Sequence, residues 1–503
     1  MLHAIKTLLV ITALFSLALI VLLNRQSIRL DEAQTIWIAT KSVSSILQLT
    51  AKDVHVPLYS LIMHAWISLF GTEIRAVRLV SVFFFLLTIP VLFTLAKSLL
   101  GNKGAVLTII LFITSPFILW YSSEARMYSL FVFITTLHHL LFLRVSDSPS
   151  TERKLAFFLV TVIGYYTHYF FLFVLFSQGV YLIIRSMLLP YFSSSHRTIT
   201  SFIRYAKVSD FFSVSKVYSL SFLFFIPWIV YAISLGFASN TQPLIPPPSS
   251  YNLLQLFSEF FFGFQEKHLQ SSIISLWPLG VVAVFIIFTK KGFLCMKHGG
   301  YVVLASFLPI IAVFLASFLR PIFLSRYLIL VTPTFFIFLA WFLLTVSKKL
   351  LPITAFSLAS LMLVSAYAQH FSLRTPVRED YQRVSQYLSL NAKPNDIIVI
   401  SAPFTIYPIE YAYSGSASLE TIPYWNRFLN NNIPQFSQEE LENQILNYKD
   451  YYRKLFVVLS YDQGYEKNIR DLLDQNYGYD QHTVFSEGLE IREYILRYDL
   501  VSQ

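Results

Sequence analysis

Long apolar runs, separated by short polar segments, fill the first three quarters of this chain. They predict helices at about 6–23, 78–98, 104–121, 127–143, 155–167, 169–185, 217–237, 272–289, 301–319, 326–346 and 351–371. Most reach the roughly 18–20 residues that a membrane helix needs. The stretch 155–185 is one long run broken near "YYTHYF", and each half is short for a full crossing. "LYSLIMHAWISLF" (Leu58–Phe70) is equally apolar but has 13 residues, so it reads as a juxtamembrane or re-entrant helix. No small-residue cleavage site follows the Leu8–Leu23 run, where "NRQSIRLDE" comes next. It therefore reads as an uncleaved first helix.

From Arg374 onward the period changes. "REDYQRVSQYLSLN" is amphipathic at helical spacing and "NDIIVISA" reads as a buried strand. A helical stretch near 438–449 precedes the strand "KLFVVLSY", and a helix near 466–475 precedes two strands, "HTVFSE" and "REYILRYDL". The alternation predicts a small α/β domain. The expected organisation is a membrane domain over 1–373 and an extracytoplasmic α/β domain over 374–503. No glycine-rich phosphate loop is present, and Gly464 and Gly478 read as turn punctuation.

Composition agrees with a membrane protein: 55% of residues are hydrophobic, 17% are aromatic, and the mean hydropathy is +0.58. The single cysteine, Cys295, excludes an intrachain disulfide. Charge fixes orientation. Residues 374–503 carry 12 Lys/Arg and 18 Asp/Glu, whereas residues 1–373 carry 26 and 10. The net charge of +10 is thus a basic collar on the membrane part rather than a nucleic-acid signature. With the N-terminus inside and 58–70 left out of the count, 16 of those 26 basic residues fall in inside loops, including Arg144, Arg153 and Lys154. About eleven spans result, up to 13 if the uncertain segments cross. The expected location is a multi-pass protein of the inner (plasma) membrane with its C-terminal domain on the periplasmic side.

This topology gathers scarce acids on one face. Asp31 and Glu32 follow the first helix in "RLDEAQTIW". "DVHVPLY" brings Asp53, His55 and Tyr59, and "YSSEARMYS" brings Glu124 and Arg126. "RPIFLSRY" adds Arg320, Arg326 and Tyr327. His168 lies in "YYTHYF", and Lys267 and His268 in "FQEKHLQ". A carboxylate at the membrane surface can take the proton of an acceptor hydroxyl. Arginine and lysine beside it can hold a phosphate and the charge that builds on it as it leaves. The set suits transfer from a phosphate-activated donor embedded in lipid. Each motif also has a plainer use: Pro57 as a helix start, Arg320 and Arg326 as interfacial anchors, His168 as a satisfied histidine at a helix break. His55, His268 and the acids leave a divalent metal open, without signature spacing.

In order and spacing these motifs resemble the GT-C superfamily of membrane glycosyltransferases. The resemblance is to the bacterial branch akin to dolichyl-phosphate-mannose protein mannosyltransferases and the lipid A aminoarabinose transferase. "LDEAQ" is similar to that family's first-loop acidic motif, and "DVHVPLY" to its Asp-x-His-Pro-Pro-Leu-Tyr, with Val56 in place of the first proline. "SSEARMY", "THYF" and "FLSRYLI" also look like its motifs. The resemblance implies a polyprenyl-phosphate-sugar donor, an inverting reaction, and a lipid, glycan or protein acceptor. It implies Asp31 as base with Glu32 in support, Asp53 and His55 lining the cavity, and Glu124 and Arg126 orienting the sugar-phosphate or fixing the first loop. Arg320 and Arg326 would bind the donor phosphate. A polyprenyl-linked polysaccharide ligase or polymerase and a lipid or sugar transporter are the alternatives. A transporter would favour ionisable groups at mid-membrane and repeat symmetry.

Overall fold

The computed structural model describes residues 2–188, 208–236, 246–265, 267–276, 298–345, 349–371, 380–427, 433–486 and 488–497. Its membrane part is helical: α1 (Leu2–Leu23), α2 (Leu30–Ala39), α3 (Val43–Lys52), α4 (Leu58–Phe70), α5 (Ile74–Thr114), α6 (Pro116–Ser122), α7 (Tyr128–Asp147), α8 (Thr151–Thr167) and α9 (Phe171–Ile183). There follow α10 (Val208–Leu223), α11 (Ile226–Ser234), α12 (Ser250–Phe262), α13 (Lys267–Ile274), α14 (Gly299–Ala316), α15 (Thr332–Leu344) and α16 (Leu351–Phe371). Among the described residues, seven helical stretches are long and apolar enough to cross a membrane. Most of the helix expected at 272–289 lies outside the described residues.

α1, with 22 residues, is about 33 Å long at 1.5 Å per residue, which matches a hydrocarbon core of about 30 Å. The 41 residues of α5 would overshoot such a core, and the chain breaks at Gly101, whose φ of +71° suits only glycine well. The two runs expected at 78–98 and 104–121 are therefore the two arms of one interrupted element. The second arm stops at Ser115 rather than 121. Pro116 starts the separate helix α6 there, and the Ser115 hydroxyl caps it by accepting from the Ile118 N–H. The break expected inside 155–185 falls at His168, between α8 and α9. The run expected at 217–237 is also two helices, parted before Pro227. Helix α5 packs on α1, α7 and α15; α7 packs on α8, and α14 on α9 and α15.

The C-terminal part adds α17 (Tyr381–Asn391), β1 (Ile397–Ile400), α18 (Ile406–Ala412), β2 (Ser418–Thr421), α19 (Gln438–Tyr451), β3 (Lys454–Ser460), α20 (Glu466–Asn476), β4 (Gly478–Ser486) and β5 (Leu489–Ile495). The strands form one sheet in the order β2-β1-β3-β5-β4. β1 runs parallel to both β2 and β3, with Ile397 opposite Leu455. β5 runs antiparallel to β3 and β4, with Val457 opposite Arg492. The unbroken apolar runs of β1 and β3 follow from their central place, buried on both faces. This part rests on the membrane part through α18, which packs on α2. Trp37 of α2 meets Tyr407 of α18 with ring centroids 5.2 Å apart.

Candidate active site

Helix α2 starts on a buried charge cluster. Arg29 is its N-cap, and the Glu32 carboxylate reaches back to accept from the Arg29 backbone N–H at 3.0 Å. Glu32 is fully buried. It accepts a fork from Arg78, Nε at 2.8 Å and Nη2 at 2.6 Å, and a further bond from the Ala125 N–H at 2.9 Å. Burial opposes the charge of Glu32, but the Arg78 guanidinium and these bonds outweigh it and hold the carboxyl below its ordinary value. Arg78 also donates to the carbonyls of Leu23, the last residue of α1, and of Asn24, Gln26 and Ser27 in the turn that follows. One arginine thus ties the end of α1, the start of α2 and, through Glu32, the loop that carries Arg126.

Asp31 faces the other way. Its carboxylate is partly exposed and accepts from Arg326 Nη1 at 2.9 Å. Burial raises the Asp31 carboxyl, but the guanidinium charges of Arg326 and Arg126 outweigh it and hold the carboxyl below its ordinary value. Arg126 donates to the Thr35 hydroxyl at 3.0 Å and meets His55 Nε2 at 2.8 Å. Arginine has no acceptor, so His55 Nε2 is unprotonated in this contact. Burial, the largest cause, lowers the His55 imidazole and keeps it neutral. Thr35, His55 and Arg126 line one narrow recess with Tyr59, His168 and Tyr169.

Glu124 lies on the opposite side of Ala125 from Arg126. It is buried and faces Arg29 at 3.5 Å, and the Arg29 guanidinium lies 3.5 Å above the Trp120 ring. Burial, helped by the charges of Glu32 and Asp31, pushes the Glu124 carboxyl up to about 7 against the pull of Arg29. Its backbone carbonyl accepts from Ser81, whose hydroxyl also meets Tyr59 Oη at 3.3 Å. Glu259, on α12, is likewise buried and pushed up to about 7 by burial.

The remaining expected residues divide. His168 accepts from the Phe170 N–H through Nδ1 at 3.0 Å. Its ring stacks on Phe131 and meets Tyr327, while its buried Nε2 has no hydrogen-bond partner among the described residues. Tyr327 is buried in this aromatic wall. Asp53 C-caps α3 and accepts from the Val54 N–H at 2.7 Å, so it shapes the loop that presents His55. Arg320 does not join the cluster: it sits exposed beyond the end of α14. The side chains of Lys267 and His268 lie outside the described residues, although their backbone opens α13. Among the described residues no three His, Cys, Asp or Glu side chains gather as metal ligands, and Asp31 is flanked by guanidinium groups instead. Sequence reasoning missed Arg78, Thr35 and Ser81. Arg78 carried a signal, since it is a cation at the entry of an apolar run, but such a residue reads as an interfacial anchor.

The fold is that of a helical membrane protein with a C-terminal α/β part, and it brings the first-loop acids, the His55 loop and Arg326 to one face. The model of the family described as dolichyl-phosphate-mannose-protein mannosyltransferase matches residues 54–209. No curated protein matches the chain in sequence. Among solved structures, the chain is similar to ArnT from Cupriavidus metallidurans in the apo state, with TM-score 0.62 and 11% identity over 99% of both chains. The same ArnT bound to undecaprenyl phosphate gives TM-score 0.62 and 10% identity over 98% of this chain and 99% of that one. The Archaeoglobus fulgidus oligosaccharyltransferase in its apo form gives TM-score 0.52 and 13% identity, covering 95% of this chain and 73% of that one. At these identities the likeness is one of fold.

Proposed function

We propose that this chain is an inverting glycosyltransferase that moves a sugar from a polyprenyl-phosphate-linked donor to an extracytoplasmic lipid, glycan or protein acceptor. The observation that carries the reading is the Asp31 carboxylate bonded to Arg326, with Arg126 donating to the Asp31 backbone carbonyl and lining the recess of His55 and His168. Held below its ordinary value, Asp31 is ionised at neutral pH and ready to accept a proton. In the proposed step the acceptor oxygen bonds to the anomeric carbon while its proton passes to Asp31. The bond from that carbon to the phosphate oxygen breaks, and its electron pair leaves with the polyprenyl phosphate. Arg326 is the group a donor phosphate would engage. Once it turns to the phosphate it holds Asp31 less tightly, so donor binding itself strengthens the base. Glu32 supports the base by fixing the first turn of α2, since its oxygens are occupied by Arg78, Arg29 and Ala125.

The reading also divides the chain into a membrane part over 1–373 and an extracytoplasmic part over 374–503, in the inner (plasma) membrane. Arg144, Arg153 and Lys154 lie at the end of α7 and start of α8, away from the site end at Tyr128 and Thr167, as positive-inside bias requires. ArnT bound to undecaprenyl phosphate supports the donor class by analogy of fold. The test is mass spectrometry of envelope lipids and glycans in cells with and without the protein. Wild type is expected to restore a glycosylated species, and Asp31→Asn, present at equal membrane level, to restore none. Restoration by Asp31→Asn would overturn the base assignment.

A further inference from the structure

The C-terminal part holds a second recess, far in sequence from Asp31. It is a groove of about 1050 Å³, open to solvent, between α19 and the edge strand β2. Glu420, Tyr424, Phe436, Glu440, Asn443 and Asn447 line it. Glu440, Asn443 and Asn447 are spaced i, i+3 and i+7, so they form one stripe along α19. The adjoining stripe, Leu441, Ile445 and Tyr448, is buried against the sheet, and Leu441 and Tyr448 form part of the groove's floor.

Three features give this groove a chemical preference. Asn443 and Asn447 stand inside a helix, where Asn is a poorer former than Ala, Lys or Glu, and both are exposed. Each amide offers two donors and an acceptor, the set that pairs with a hydroxyl acting both ways. The aromatic surface is available as well: Tyr424 is 59% exposed, and Phe436 is braced from behind by Tyr465, with ring centroids 4.4 Å apart at 2°. Charge completes the selection, because Glu420 and Glu440 line the groove and, among the described residues, no Lys or Arg does. Amides, carboxylates and flat apolar rings together fit an uncharged, hydroxyl-rich ligand and disfavour phosphates, uronates and acidic peptides.

The groove also connects to the catalytic helix. The segment that supplies Ile422, Pro423 and Tyr424 continues to Trp425 and Arg427. Trp425 packs edge-on to Tyr407, and the Arg427 guanidinium lies 4.8 Å from the Trp37 ring and 5.2 Å from that of Tyr407. Trp37 stands six positions after Asp31 on α2. We propose that this groove binds an uncharged oligosaccharide, the sugar-rich part of the acceptor that Asp31 activates. The acceptor role rests on the glycosyltransferase reading above; binding in the groove does not.

The test uses the full-length protein in nanodiscs and fluorescently labelled neutral tetrasaccharides of glucose, mannose and N-acetylglucosamine. Tetragalacturonate and an extended uncharged peptide are the competitors. We expect saturable binding of at least one neutral tetrasaccharide. Tyr424→Ala and the Asn443→Ala/Asn447→Ala pair should each weaken it about tenfold or more, by analogy with truncation of an interface anchor. These side chains are exposed, and an unchanged elution volume and tryptophan spectrum would show that the variants remain folded. Asp31→Asn should bind like wild type. No saturable binding of any neutral tetrasaccharide, binding that the groove variants leave unchanged, or displacement by the peptide or tetragalacturonate would overturn the proposal. Saturable binding lost in the groove variants, in a wild-type protein that transfers no sugar, would support the groove and refute the glycosyltransferase reading.

Discussion

Removing Arg78 tests whether the site is held by a buried charge pair. Its guanidinium makes six hydrogen bonds, two to Glu32 and four to the carbonyls of Leu23, Asn24, Gln26 and Ser27, and both partners of the pair are fully buried. Arg78→Met leaves the Glu32 carboxylate without its main counter-charge, and Glu32→Leu leaves the Arg78 guanidinium in the same position. Breaking a buried pair from one side costs about 3–5 kcal/mol, most of it the penalty of the stranded charge. Independent effects would sum to about 6–10 kcal/mol. The double variant strands no charge and loses chiefly the partners of four carbonyls, so it should cost about what one single variant costs. The expected coupling is therefore about 3–5 kcal/mol, well above the roughly 0.5 kcal/mol by which distant sites depart from additivity. The assay is equilibrium unfolding in mixed micelles titrated with a denaturing detergent, for wild type, both single variants and the double. Additive single costs would refute the reasoning, because they would mean that Glu32 and Arg78 do not depend on each other.

Glu124 gives a pH prediction. Its carboxyl stands at about 7 in the folded chain against an ordinary 4.5, so the folded state holds the proton more tightly. Stability is then highest at low pH and falls as pH rises from about 4.5 through 7, by roughly 3 kcal/mol at 1.36 kcal/mol per unit. Glu124→Gln should flatten that slope, and unfolding midpoints at pH 5 and pH 8 that shift equally in variant and wild type would contradict it. For the two external arginines, Arg326→Ala should raise KM for the lipid donor about tenfold or more and lower kcat, since it removes the cation bonded to Asp31. Arg320→Ala should change neither by more than about twofold, because that side chain is exposed and outside the cluster. Donor titrations in detergent would show this, and equal losses for the two variants would sink the placement of the donor phosphate.

The parts of the fold that were legible in the sequence are those with a single dominant period. Leu58–Phe70 and Leu351–Phe371 occur with the bounds their apolar runs predict, and the strands over 397–400 and 454–460 are the two unbroken apolar runs of the C-terminal part. Elements half buried against protein rather than lipid were not legible. α2 and α3 mix polar and apolar positions over 10 residues each, too few to set a helical period against loop chemistry. β2 has four residues at a sheet edge and only one is buried. Of the candidate site residues, Asp31, His55, Arg126 and Arg326 stood out in the sequence as ionisable residues beside apolar runs, where such residues are scarce. The assignment of partners was not readable. Whether Arg326 or Arg320 meets Asp31 depends on where α14 ends and the 3₁₀ turn at Ser325–Val331 begins, and no local spacing encodes that.

The adjacent acids Asp31 and Glu32 end with separate tasks because successive residues on a helix point about 100° apart. One faces the protein interior, and the other faces the cavity side. Arg29, Arg78, Glu32 and Glu124 then sum to zero when Glu124 is ionised, leaving Asp31, Arg126 and Arg326 with one excess positive charge around a neutral His55. A polyprenyl-phosphate-linked sugar carries one negative charge on its phosphodiester, so donor and site together are neutral. In the proposed step the proton passes to Asp31, and the site rises to two positive charges. The phosphate, now a monoester, rises to two negative charges. Neutrality is kept at both ends of the reaction, and the attraction between site and phosphate grows as the phosphate leaves. That is where electrostatic stabilisation lowers a barrier most. Asp31→Asn fails this count even with its geometry intact: it adds a positive charge to the donor complex and has no place for the proton.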